Sequence, residues 1–207
     1  MPISNKDHWY DGWFYDTVIA PNQDRMFKQI RELIAPDSSV IDIGCGTGRF
    51  SFSVADKCSS VAGIDISKRN IDRANETVLK NPNEKISFHH ASIGEILAER
   101  NRHFDYAVMT YILHEVDEEQ RIQLLRDTAR IADTIIIGDY LVPRPSGFWS
   151  GLNEIVEFAA GSDHYKNYKH FVANGGLHHL IRQAGLKLVR EVQNNPSTSH
   201  LVFVIKE

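Results

Sequence analysis

From residue 39 onward, short runs of apolar residues alternate with stretches whose apolar positions recur every three to four residues. Apolar runs of this length, bounded by turn formers, predict buried strands, and 3.6-residue spacing predicts amphipathic helices. Strands are expected at residues 39–43, 60–64, 86–90, 106–110, 134–138, 186–193 and 200–205. Helices are expected at residues 47–56, 68–79, 118–132 and 171–184, with one more at 24–35 that ends against Pro36. Ser67 and Asp117 stand where N-caps belong, and Gly185 where a helix stop belongs. Strand and helix in strict alternation make crossover units, so the expectation is an α/β fold: a Rossmann-like, mostly parallel seven-stranded sheet with helices on both faces, in one domain spanning residues 1–207.

Two segments break the alternation. The start of the chain holds Trp9, Tyr10, Trp13, Phe14 and Tyr15 close together, and residues 140–170 follow the fifth strand with a second concentration of aromatics. Open parallel sheets bind ligands at the carboxyl ends of their strands, so residues 1–35 are expected to form a lid and helix, and residues 140–170 an insertion walling the acceptor side of a pocket. The same aromatics would equally serve a satellite core.

The strongest chemical signal is Val40-Ile-Asp-Ile-Gly-Cys-Gly-Thr-Gly-Arg-Phe50, an apolar strand running through a GxGxG turn into a helix. Without a Cβ, glycine lets the main chain turn sharply and lie close to a ligand. The spacing differs from the GxGxxG of dinucleotide sites, where a pyrophosphate meets a helix start. Here Asp42 precedes the first glycine by two positions, and a carboxylate suits a ligand carrying a sulfonium and an ammonium. The second strand ends in Asp65, placed to accept hydrogen bonds from two ribose hydroxyls, a feature shared with NAD enzymes.

Composition narrows the classes. Lys and Arg number 23 against 27 Asp and Glu, a net charge of -4, which disfavours a nucleic-acid partner on average. Only Cys45 and Cys58 are present, so neither a disulfide scaffold nor a thiolate metal site is expected, and a reducing cytoplasm is the simplest location. The N-terminus lacks the apolar core of a secretory signal, and no apolar run is long enough to span a membrane.

With these motifs in place, the sequence resembles the class I S-adenosylmethionine (SAM)-dependent methyltransferases of the small-molecule type, including the ubiquinone and menaquinone C-methyltransferases. The likeness runs from Val40 to the last strand, through Asp42-Ile-Gly44-Cys45-Gly46-Thr-Gly48, Asp65, and Phe104-Asp-Tyr-Ala-Val-Met-Thr-Tyr-Ile-Leu-His114-Glu-Val116. It implies the sheet order 3-2-1-4-5-7-6 with the last strand antiparallel, SAM as cofactor, and a small-molecule methyl acceptor of aromatic or amphiphilic character. It also implies cofactor contacts at Asp42, Gly44, Cys45, Gly46, Gly48, Asp65, Ile66, Ser92, Ile93 and Thr110. At Ser92 such enzymes often carry an acid for the adenine amino group, and a serine hydroxyl accepts that bond more weakly.

Methyl transfer needs alignment and exclusion of water, with a general base only where the acceptor must lose a proton. His114, after the fourth strand, is the first candidate base, against the alternative that it orders a turn. Tyr111 is a candidate cation–π wall for the sulfonium, and His164, Tyr165 and Tyr168 are candidate acceptor contacts. Asp139 and Tyr140 end the fifth strand, either orienting an acceptor or bonding nearby main-chain N–H groups. His89 and His90 alternate across a strand, and His178 and His179 are helix neighbours, so neither pair offers a shared ligand face. An NAD-linked oxidoreductase, a non-catalytic SAM-binding module and a macromolecular methyltransferase remain alternatives, and oligomeric state is open.

Overall fold

The computed structural model describes residues 20–99, 102–194 and 198–207. The elements in chain order are α1 (Ala20–Leu33), β1 (Ser39–Ile43), α2 (Arg49–Val54), β2 (Ser60–Asp65), α3 (Lys68–Lys80), β3 (Ile86–His90), α4 (Ile93–Ala98), β4 (Phe104–Thr110) and α5 (Glu118–Thr128). They continue through β5 (Ala132–Tyr140), α6 (Phe148–Ala160), α7 (Ser162–Ala173), α8 (Gly176–Ala184), β6 (Leu186–Gln193) and β7 (Ser199–Lys206). The seven strands form one sheet in the order β3-β2-β1-β4-β5-β7-β6, as the family resemblance implied. β1 to β5 pair in parallel, and β7 runs antiparallel to both β5 and β6.

Successive strand residues point to opposite faces, and here both faces are covered. Ile41, Met109, Ile135 and Ile137 pack with Leu125, Leu180 and Ile181 of α5 and α8. Their neighbours Val40, Val108 and Ile136 pack with Met26 and Ile30 of α1, Val54 of α2 and Ile71 of α3. The outer strand β6 is mostly exposed and carries Lys187, Arg190 and Glu191, charges that discourage pairing by a further strand.

Three helices were not foreseen. α4 is a short turn set by a capping box, with the Ser92 hydroxyl accepting from the Glu95 N–H and the Glu95 carboxylate accepting from Ser92. α6 and α7 occupy the segment expected to be an insertion after β5, which is thus helical. The single helix expected at 171–184 is two helices, because Gly175 (φ 86°) and Gly176 (φ 58°) take left-handed conformations that an α-helix cannot continue through. The helix expected at 118–132 stops at Thr128, and Ala132 already belongs to β5. The aromatic cluster at residues 9–15, expected to form a lid, lies outside the described residues. Among those described, no helix is long and apolar enough to cross a membrane.

Candidate active site

The carboxyl ends of β1, β2, β4 and β5 converge on the loop from Gly44 to Gly48. Gly44, Gly46 and Gly48 all have positive φ, at 70°, 55° and 83°. A Cβ on Gly48 would lie 2.3 Å from the Phe88 ring, and one on Gly44 would lie 2.7 Å from Ile112. At Gly46 a Cβ would meet nothing within 4 Å, so here the main chain borders open space. The loop is held from below: the Gly44 and Cys45 N–H groups donate to the Ile64 carbonyl, at 2.8 and 3.0 Å.

The two carboxylates flanking the loop differ. Asp65, at the end of β2, accepts from the Gly46 N–H (2.8 Å) and the Ser67 N–H (2.7 Å) and is part-exposed. Ile66 beside it is 62% exposed, an apolar side chain presented at the strand ends. Asp42 is buried beneath the loop and accepts from the Ser51 hydroxyl at 2.7 Å. Burial pushes its carboxyl up to about 7 against the Ser51 hydrogen bond, so a cation arriving overhead would favour the ionised form. Cys45 is buried, and burial raises its thiol far above the ordinary range. Ser92 and Ile93 open α4 on the neighbouring strand end; the Ser92 hydroxyl donates to Glu95 (2.8 Å), so an adenine amino group would share that oxygen with the cap.

From Thr110, the last residue of β4, the chain enters Tyr111 at φ 56°, a left-handed conformation rare for a bulky residue. That bend sends the Tyr111 hydroxyl to Ser199 (3.2 Å) and turns the following residues under α6 and α7. His114 there is 2% exposed. Its Nδ1 lies 2.7 Å from Asp139 Oδ1, and its main-chain N–H donates to Asp139 Oδ2 at 3.3 Å. Nε2 is 3.6 Å from Glu157 Oε1 and 3.9 Å from Glu115 Oε1, beyond hydrogen-bond length from either. The Tyr140 hydroxyl donates to Glu157 at 2.7 Å, and the rings of Tyr140, Tyr168 and Phe171 lie 4.8, 6.3 and 6.3 Å from the imidazole.

Burial alone would keep this imidazole neutral. The charge and hydrogen bond of Asp139, with Glu157 and Glu115 further off, outweigh it and raise His114 to about 9. The arrangement is therefore a strongly basic histidine, oriented by one carboxylate, with its outer nitrogen aimed among aromatics and a second buried carboxylate. With His114 raised to about 9, only the neutral imidazole, populated as pH rises toward that value, can take a proton from an acidic hydroxyl.

Sequence reasoning placed His114, Tyr111, Asp139 and Tyr140 at this edge, and the structure brings all four together. His164 stands at the margin, its Nδ1 3.8 Å from Glu115, and Tyr165 turns to Glu154 at 2.8 Å. Glu157 was missed; its signal was an acid set among Ile155, Val156 and Phe158. Arg121 was missed as well. It is 1% exposed and donates to the carbonyls of Val116 (2.8 Å), His114 (3.2 Å) and Asn167 (2.8 Å), tying the His114 loop to α7. Arg121→Leu leaves these carbonyls without that donor and is expected to lower unfolding free energy by about 3–5 kcal/mol, read by urea denaturation.

The family described as "Methyltransferase domain" matches residues 40–134, the stretch from β1 into β5. A ubiquinone biosynthesis O-methyltransferase of Nitrosomonas europaea is 25% identical over 186 residues, covering 86% of this chain and 77% of that protein. The protein of the same description from Aromatoleum aromaticum is 30% identical over 162 residues, covering 72% of this chain and 63% of its own length. Among solved structures, a magnesium protoporphyrin IX methyltransferase from Synechocystis PCC 6803 with bound SAH superposes with a TM-score of 0.68 at 16% identity, over 96% of this chain and 91% of the other. That likeness is one of fold.

Proposed function

We propose that this chain, a class I SAM-dependent methyltransferase, methylates a hydroxyl group on a small aromatic or amphiphilic acceptor, with His114 as general base. The observation that carries the reading is the His114–Asp139 pair, buried at the strand edge that also bears the glycine loop. The relatives named as ubiquinone biosynthesis O-methyltransferases favour an acceptor of that kind.

The residues at the loop fit the cofactor. Gly46 offers main chain bordering open space, Asp65 retains lone pairs for ribose hydroxyls, and Ile66 is an exposed apolar platform for a flat base. Gly44, Cys45 and Gly48 would shape the cradle, with Asp42 beneath it, and Ser92, Ile93 and Thr110 would border the adenine and methyl ends. When bound, SAM supplies a methyl group on a sulfonium whose sulfur departs with the bonding electron pair.

The chain's own residues then have three tasks. Tyr111 and Tyr140, whose rings are 5.8 Å apart and edge-on, give the acceptor an aromatic wall and keep water out. His114 Nε2 takes the hydroxyl proton, and Asp139, bonded to Nδ1, holds the ring and stabilises the imidazolium so formed. Glu157, fixed by the Tyr140 hydroxyl, lies 3.6 Å from Nε2 and draws the same proton inward. Family membership sets aside the NAD-linked reading.

The test is calorimetry with SAM, then mass spectrometry of a panel of catechols, phenols, amines and short RNAs after incubation with enzyme and SAM. SAM binding with mass gain of one methyl on hydroxyl acceptors is the expected result. Methylation of amines or RNA alone removes the acceptor assignment, and tight SAM binding with no product from any class favours a non-catalytic module.

A further inference from the structure

A second constellation lies one strand over from the site above, where His200 of β7 stands opposite Asp139 of β5, and shares no residue with it. His200 of β7 pairs in register with Gln193 of β6, which puts Glu191 one diagonal step away on the same face. His178, in the first turn of α8, comes down on both. Glu191 Oε1 is 2.6 Å from His200 Nδ1, and Oε2 is 3.0 Å from His178 Nε2. The two imidazole rings are 5.5 Å apart, and one ligand atom from each of the three residues falls within 4.8 Å of the others.

We propose that His178, Glu191 and His200 bind one divalent transition-metal ion of the zinc type. Two imidazole nitrogens and one carboxylate are a donor set that suits zinc, cobalt or nickel and is poor for calcium or magnesium. Bond lengths of about 2.0–2.2 Å require donor atoms roughly 3.2–3.6 Å apart, so only a small contraction separates the present geometry from a ligating one. An ion would replace the two imidazole N–H···carboxylate contacts with metal bonds, so its binding releases protons.

The three donors come from α8, β6 and β7, so the ion would bind three elements together beside the exposed edge strand. His200 is 1% exposed, whereas the His178 and Glu191 side chains are 39% and 28% exposed. The site thus has a buried anchor and an open side for entry and a water ligand. The adjacent helix neighbours His178 and His179 offer no such site; His178 finds its partners across the sheet, 13 and 22 positions onward. A carboxylate bridging two imidazoles without an ion is the competing state.

The experiment uses the full chain stripped with EDTA and titrated with cobalt(II) alone, followed by visible absorption, then challenged with zinc(II). The expected result is saturation at one cobalt per chain with the intense bands of a four- or five-coordinate ion, displacement by one zinc, and a raised Tm with zinc. His178→Gln and Glu191→Gln, both at partly exposed positions, are each expected to weaken cobalt binding by about 100-fold, through loss of one of three ligands. His103→Gln, at a histidine outside the cluster, should leave it unchanged. Absence of saturable binding, or binding that H178Q and E191Q leave intact, overturns the proposal. The methyl-transfer reading assigns no role to these three residues, and His114→Gln tests that reading separately.

Discussion

His114→Gln is expected to lower kcat/KM for a hydroxyl acceptor by about 10²–10⁴-fold, the usual worth of a positioned general base, while SAM affinity stays near that of the native chain. Glutamine keeps a donor for Asp139, so the fold is not burdened with an unpartnered buried carboxylate. The pH dependence gives a sharper signature. Activity that requires the neutral imidazole rises with pH until about 9, the value to which Asp139 raises His114. Stability runs the other way. A histidine raised above its ordinary value stabilises the fold fully below about 6.5, and that contribution, on the order of 3 kcal/mol at 1.36 kcal/mol per pH unit, disappears as pH climbs to 9. Rising activity alongside falling Tm between pH 6.5 and 9, with both slopes flattened in H114Q, is the expected pair of curves. A variant that keeps native kcat/KM and its pH profile would remove His114 from the chemistry.

The second large effect is expected at Asp65. On the proposed reading, Asp65→Ala loses the acceptors for the ribose hydroxyls, and it also loses the anchor that accepts from the Gly46 and Ser67 N–H groups. Hydrogen bonds to a charged acceptor are worth roughly 1.5–3 kcal/mol each, so two lost contacts should weaken SAM binding by about 100-fold or more. Asp65→Asn, which keeps one acceptor oxygen, should fall between. Isothermal calorimetry with S-adenosylhomocysteine reads both, and an alanine variant within threefold of native affinity would place the nucleoside elsewhere.

The centre of the sheet was legible because β1, β2, β4, β5 and β7 carry apolar runs that mark burial on two faces, and the glycine loop because its turns are dictated by the residues within it. His114 was legible as a residue following β4, and Asp139 as one at the end of β5. The hydrogen bond joining them was not, because it spans 25 positions and depends on the left-handed turn at Tyr111. Glu157 and Arg121 look like ordinary helix residues in the sequence, and only packing of α6 and α7 over the strand ends reveals that both are buried. The contacts of His178 with Glu191 and His200 were not legible for a related reason: spacing along one helix reports what shares that helix's face and says nothing of what an antiparallel pair of strands brings to meet it. Ser92 read as a ligand-facing hydroxyl, and the capping box with Glu95 gives it a structural task that the S-x-x-E spacing itself announces.

The seating of His114 under Tyr140, Tyr168 and Phe171 has a kinetic corollary. On the proposed reading, a base with only 2% of its surface exposed receives substrate through an opening of the cover to which α6 and α7 contribute, and product leaves the same way. Turnover is then paced by that opening whenever the chemical step is fast, so kcat should respond to solvent viscosity and to packing changes in α7 far from any reacting atom.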